Sequence, residues 1–154
     1  MEREGRCFMP NPEWLDIAIQ EFEKHIKEIP GSKHNPRILE YHAATTLRAT
    51  DDETPWCSAF VNWCMDRAGV KGTTSARARS WANWGVECPP KLGCVVVMSR
   101  GSNPMQGHVG FLVSVHGNQV IVLGGNQGDR VCEATFPADR VIAYRWPKVG
   151  DFKI

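Results

Sequence analysis

Cys57 follows Thr54 by three residues and Pro55 by two, and it opens an apolar stripe. Thr54 is a good N-cap, Pro55 suits the first helical position, and Gly69 supplies a stop. That arrangement puts Cys57 on the first turn of a helix, where unpaired amides and the positive end of the dipole favour an anion. A thiol held there has a lowered pKa and becomes a nucleophile, the chemistry of attack on a carbonyl. The plainer use of the same residue is packing, since Cys57, Phe60, Val61, Cys64 and Ala68 share one helical face.

A nucleophilic thiol needs a base. His25, in the first helix, and His34, in a turn, read as solvated; His42 is placed to cap the end of a helix, and His116 sits in a hairpin turn. His108 differs. It follows Gly107 at the mouth of a strand, and Gly110 lies on the same face, leaving an uncrowded surface beside the imidazole for another chain or a substrate. The strands around His116-Gly117-Asn118 pair as a hairpin. A turn centred on Gly117 sets His108 opposite Asn126, whereas a two-residue Gly-Asn turn sets Gln127 there. Either amide oxygen, accepting from one ring nitrogen, would leave the other nitrogen free to take the cysteine proton. A loop with no such role is the other reading of Gly124-Gly125-Asn126-Gln127-Gly128.

The elements that must position these groups are legible in outline. Trp14, Ile17, Ala18, Phe22 and Ile26 recur at helical spacing until Pro30-Gly31, and Pro36 opens a second short helix carrying Ile38, Leu39 and Tyr41. A polar turn, Ser32 to Asn35, separates the two, and a polar and acidic link, Ala49 to Glu53, leads to the helix of Cys57. Ser75 to Gly85 forms a further short helix. Strands follow at Cys94–Ser99, His108–Val115, Gln119–Leu123 and Val141–Trp146. Helices first and an antiparallel sheet second is the α+β order. The reading is one domain over residues 1–154, with a helical part at 1–50 and a core at 54–147.

Composition narrows the function classes. The chain has 154 residues, 42% hydrophobic and 23% charged, as an ordinary globular protein has. Lys+Arg number 18 against Asp+Glu 17, a formal charge of +1 that argues against a nucleic-acid binder. No apolar run is long enough for a membrane span. The start, MEREGRCFMPNPEWLD, lacks the apolar core of a signal peptide, so synthesis in the cytoplasm is expected. The cysteines at 7, 57, 64, 88, 94 and 132 are then expected as free thiols, and without any C-x-x-C pair their spacing speaks against zinc.

The run Thr54–Cys64 (TPWCSAFVNWC) resembles the nucleophile motif of papain-like cell-wall hydrolases of the CHAP (cysteine, histidine-dependent amidohydrolase/peptidase) and NlpC types. Gly107-His-Val-Gly-Phe is similar to their histidine strand, and Gly124-Gly-Asn-Gln to the polar position after it. The likeness is nearest to a small phage and bacterial subgroup with P-W-C, A-R-S-W, G-H-V-G-F and G-G-N-Q in that order, and it runs from Ile29 through Trp146. Relatives often read Gly-Asp where this chain has Gly93-Cys94, so no acidic group is carried over at that point.

The resemblance implies a papain-like α+β fold with Cys57 as nucleophile at a helix N-terminus, His108 as base, Asn126 as orienting group and the Cys57 amide in the oxyanion hole. It implies a thioacyl-enzyme route to cleavage of an amide bond in peptidoglycan, by a stem-peptide endopeptidase or an N-acetylmuramoyl-L-alanine amidase, with no metal or organic cofactor. Peptidoglycan fragments would be the partner, met after release or delivery of the protein to the wall. Trp56, Trp81 and Trp84 are candidate cleft walls, with Gln127 beside them, and Arg77, Arg79 or Arg100 are candidate partners for substrate carboxylates. Tryptophans at such spacing also serve as core, and arginines as solvated surface. The rival from another class is a non-catalytic papain-fold module that binds wall fragments or a protein.

Overall fold

The structure, a computed structural model, describes residues 10–31, 33–52 and 54–153. The expectations resting on Cys7 and the chain start, and on Ser32 and Glu53 at the ends of their turn and link, fall outside the described residues. Three helices come first: α1 (Glu13–Glu23), α2 (Pro36–His42) and α3 (Cys57–Arg67). A 3-10 turn, Ala78–Asn83, stands where the sequence suggested a further short helix. The strands are β1 (Val86–Glu87), β2 (Val95–Ser99), β3 (Gly107–His116), β4 (Gln119–Gly124), β5 (Cys132–Pro137) and β6 (Val141–Trp146). They form one antiparallel sheet in the order β1-β6-β2-β3-β4-β5. The expected α+β architecture is present. No helix among the described residues is long and apolar enough to cross a membrane.

β2 lies between β3 and β6, which is why its valines run without a polar break. Val95 and Val97 meet the helices, in a core shared with Trp14, Leu15 and Ala18 of α1, Phe60 and Val61 of α3, and Val109 and Phe111 of β3. Val96 and Met98 point the other way, into a second cluster with Leu112, Val120 and Val122. Phe136 of β5 and Tyr144 of β6 both pack on that second cluster. The connection between these strands shows how. Only Ala138–Arg140 links β5 to β6, although β4, β3 and β2 separate them in the sheet. Four strand spacings of about 4.8 Å exceed the roughly 14 Å such a link can reach, so the sheet rolls up and encloses its second face.

The helical part is fastened at two buried carboxylates. Glu21 of α1, 2% exposed, accepts from Tyr41 Oη at 2.6 Å and pairs with Arg37 Nε at 3.1 Å, both from α2. Asp52, fully buried, accepts from the backbone N–H groups of Ile29 (2.7 Å) and Asn35 (2.9 Å), with His34 Nδ1 at 3.3 Å. His34 is therefore a partner of Asp52 and not a solvated side chain. His42, expected to cap carbonyls, is buried at 1% exposure.

Asp52 joins the turn before α2 to the segment that enters α3. Burial pushes its carboxyl up, but the Ile29 and Asn35 amides and His34 outweigh that and hold it below its ordinary value. A depressed carboxylate stabilises the fold above its unfolded pKa, and the contribution is lost as pH falls through the folded value. Asp52→Ala, which strands two amides, should cost about 3 kcal/mol in urea unfolding at neutral pH, with a smaller difference from wild type in acid. A loss under about 1 kcal/mol would show that the carboxylate holds nothing.

Candidate active site

Helix α3 begins later than the sequence suggested. Thr54 does not cap it, because its backbone N–H and its hydroxyl both donate to Asp51 Oδ1, at 2.7 and 2.9 Å. Trp56 is the N-cap, without a side-chain capping bond, and Cys57 is the first helical residue. The first intrahelical bond runs from Phe60 N–H to Trp56 C=O at 2.9 Å, so the preceding amides have no helical acceptor. Two of them, those of Cys57 and Ser58, act to lower the pKa of the Cys57 thiol. So does the N–H of Val109, the residue after His108. The nucleophile candidate is thus seated against the backbone of the histidine strand.

The thiol is nevertheless not acidified. Cys57 is only 5% exposed. Burial pushes its pKa above the ordinary thiol value, and the Val109, Ser58 and Cys57 amides and the Arg100 charge oppose this without reversing it. The expectation of a lowered pKa from the helix terminus alone fails because desolvation is the larger effect.

His108, 2% exposed, meets an amide across the hairpin, and that amide belongs to Gln127. His108 Nε2 and Gln127 Oε1 are 2.8 Å apart. Gln127 Nε2 donates to the carbonyls of Val122 (3.1 Å) and Cys132 (2.6 Å). Those acceptors fix which end of the amide faces the ring, so Nε2 of His108 must carry the hydrogen. Nδ1 is left buried, deprotonated and without a hydrogen-bond partner. Burial, with the charges of Arg100 and Arg140, drives the imidazole pKa down to about 4 against the pull of the Gln127 bond. Among the described residues, no hydrogen bond joins Cys57 to His108.

Register explains why Asn126 is not the partner. Near the turn His116 pairs with Gln119 and Val115 with Val120, then the ladder shifts, so that Leu112 pairs with Val122 and Phe111 with Leu123. The shifted register would carry Asn126 to His108 only if β4 continued, and β4 ends at Gly124. Asn126 instead takes a left-handed backbone, φ 59°, and the turn swings the Gln127 side chain back over the strand. Glycine is required twice here. A Cβ on Gly124 would lie 2.7 Å from Gln127 Oε1, and one on Gly125 would lie 2.6 Å from the Trp56 ring. Asn126 lines the same groove as His108, at its half-buried edge.

The remaining candidates move. Trp56 is fully buried, with Nε1 donating to Glu28 at 2.9 Å and its ring stacked 5.8 Å from Tyr41. Trp81, also fully buried, donates to Ser58 Oγ at 2.9 Å, and Trp84 packs on it. These tryptophans are core, not cleft walls. Gln127 holds the histidine and, though buried, lines the His108 groove. Arg79 Nε donates to Gln106 C=O at 2.8 Å, pinning the loop before β3. The surface beside Gly110 is filled by the protein itself, where a Cβ would meet Val122 at 2.5 Å. Cys57 lines a recess of about 190 Å³ with Pro55, Ala76, Ala78 and Gln106, and Arg100 borders both this recess and the His108 groove. β5, which supplies Cys132, Ala134 and Phe136 to that groove, is a strand beyond those expected from the sequence, although CEATFP alternates in burial.

The tautomer is directly measurable. In pH-resolved NMR of the imidazole nitrogens, His108 should hold its proton on Nε2 and become cationic with a midpoint near pH 4. Gln127→Leu should release the tautomer preference. A midpoint near the ordinary histidine value in the native protein would contradict the buried, Gln127-held arrangement.

No curated protein matches the chain. Among solved structures, an NLP/P60-family protein described as similar to lipoprotein, from Staphylococcus aureus subsp. aureus Mu50, aligns over 96% of this chain and 45% of its own at 16% identity and a TM-score of 0.51. Ly7917 aligns over 73% of this chain and 62% of its own at 18% identity and a TM-score of 0.41. The chain thus spans less than two thirds of either, and the first shares its fold. Residues 49–126, the stretch from the entry to α3 through the Gly-Gly-Asn turn, match the CHAP domain, and the chain belongs to that family.

Proposed function

We propose that this protein is a cysteine hydrolase acting on peptidoglycan, cleaving an amide bond within the stem peptide or between that peptide and muramic acid. The observation that carries the reading is His108 itself, with Nε2 tied to Gln127 at 2.8 Å and Nδ1 buried without a partner. A buried nitrogen with no bond is rare and costly, and it is what a base awaiting a proton requires. The Cys57 thiol lies against the amide of the next residue, Val109. Membership of the CHAP family supports the substrate class.

The residues imply the following chemistry. Thiol and imidazole are both neutral at rest, so attack and proton transfer proceed together. Cys57 Sγ bonds to the amide carbonyl carbon as its proton passes to His108 Nδ1. Negative charge appears on the carbonyl oxygen, and the unpaired amides at the helix start, foremost that of Cys57, donate to this oxygen. Collapse breaks the C–N bond, and His108 Nδ1–H protonates the departing amine. Water then attacks the thioester while His108 takes its proton, releasing the acid and restoring the thiol. Gln127 acts through His108, holding the tautomer that leaves Nδ1 open; it takes the role first assigned to Asn126.

Substitution separates these roles. Cys57→Ala should abolish release of new amines or carboxyls from purified peptidoglycan while leaving the fold intact, whereas Cys64→Ala, at a fully buried core position, should retain turnover. Gln127→Ala should lower kcat by about 10²- to 10⁴-fold, as loss of a tautomer-holding partner does. Asn126→Gly, which respects the left-handed backbone, should stay within a few-fold of wild type. Full activity in Cys57→Ala would reject the thiol mechanism. Wall binding with no turnover by the native protein would make the chain a papain-fold binding module.

A further inference from the structure

The groove beside His108 is larger than the histidine and its partner require. It encloses about 710 Å³, with an apolar floor from Ala134 and Phe136. Its walls bring together three guanidinium groups from separate parts of the chain: Arg100 after β2, Arg130 between β4 and β5, and Arg140 before β6. Glu133 is the one carboxylate among the lining residues. The whole protein carries a formal charge of only +1, so the concentration of positive charge is local.

These arginines are placed in two ways. Arg140 is fixed: Nε and one Nη donate to Ser99 C=O at 3.1 and 2.8 Å, and its guanidinium stands 5.2 Å over the Phe136 ring. Arg100 and Arg130 are exposed at the rim. Arg100 also borders the recess of Cys57, so a group paired with it sits beside the reacting sulfur. Three like charges around one groove repel in the free protein, and an anion relieves that repulsion. Guanidinium forks suit carboxylates in particular.

We propose that this groove is a carboxylate-recognising subsite, in which Arg100, Arg130 and Arg140 pair with the acidic groups of a peptide whose scissile bond lies at Cys57. The proposal rests on the hydrolase reading for the position of that bond. It adds a consequence. Arg100 and Arg140 disfavour protonation of His108 in the empty groove. A seated carboxylate offsets both charges and removes that part of the opposition, which is smaller than the effect of burial.

The test compares two tripeptides, a γ-linked alanyl-glutamyl-lysine with free carboxylates and its counterpart with carboxamides, on the full chain. In Cys57→Ala protein, which removes turnover, the acid form should bind at least about tenfold tighter at low salt. That preference should shrink as salt is raised and vanish when Arg100→Gln and Arg130→Gln are added, both at exposed positions. Equal binding of the two peptides, or a preference that survives the arginine replacements, would overturn the proposal. The two readings fail separately. Selective binding without cleavage by the native protein rejects the hydrolase and keeps the subsite, whereas cleavage of acid and amide forms at equal rates does the reverse.

Discussion

The Gln127 side chain is the point on which the site turns. Its amide nitrogen satisfies two backbone carbonyls, Val122 and Cys132, on neighbouring strands, so its oxygen has one direction left, toward His108. A hydrogen bond to an amide oxygen is neutral and therefore modest in energy. Its value here is directional: it dictates which imidazole nitrogen carries the proton in a ring that is only 2% exposed. Gly124 must lack a side chain for the amide to lie there, and Gly125 must lack one for the same loop to close on Trp56 at the head of α3. One short turn thus sets both the histidine tautomer and the approach of the sheet to the helix that begins at Cys57.

Burial and reactivity oppose each other at this site. Desolvation raises the thiol and lowers the imidazole, which favours a neutral pair over a thiolate and an imidazolium. The helix terminus and Arg100 act against burial at Cys57 but do not reverse it. A resting site of this kind is sheltered from adventitious oxidation and alkylation, because the thiolate is the reactive form. In the proposed mechanism, charge separates only when a carbonyl occupies the site and gives the amides at the start of α3 an oxyanion to stabilise.

Much of this was legible in the residues. The helix–sheet order, Pro36 opening α2, the last strand at Val141–Trp146, and Cys57 and His108 as the groups of interest all follow from spacing and turn chemistry. What escaped depended on tertiary competition. Thr54 has the chemistry of a cap, but Asp51 claims its hydroxyl, which no local pattern reveals. Asn126 and Gln127 were separated by counting along a ladder, and the count broke where the ladder shifts and the strand ends. Trp56 and Trp81 were candidate walls at a spacing that more often marks core, and their indole N–H groups found buried acceptors. The arginine groove was not foreseeable as a unit, because only the rolled sheet brings residues 100, 130 and 140 to one opening.

In the proposed reaction the Cys57 sulfur forms a covalent bond to the acyl part of the substrate with His108 as its base. Acid-quenching the native protein during turnover of peptidoglycan fragments, followed by peptide mapping by mass spectrometry, tests this most directly. A thioester mass increment is expected only on the peptide that contains Cys57, and it should be lost in His108→Ala protein. Cleavage of the fragments with an increment on another residue would contradict this reaction.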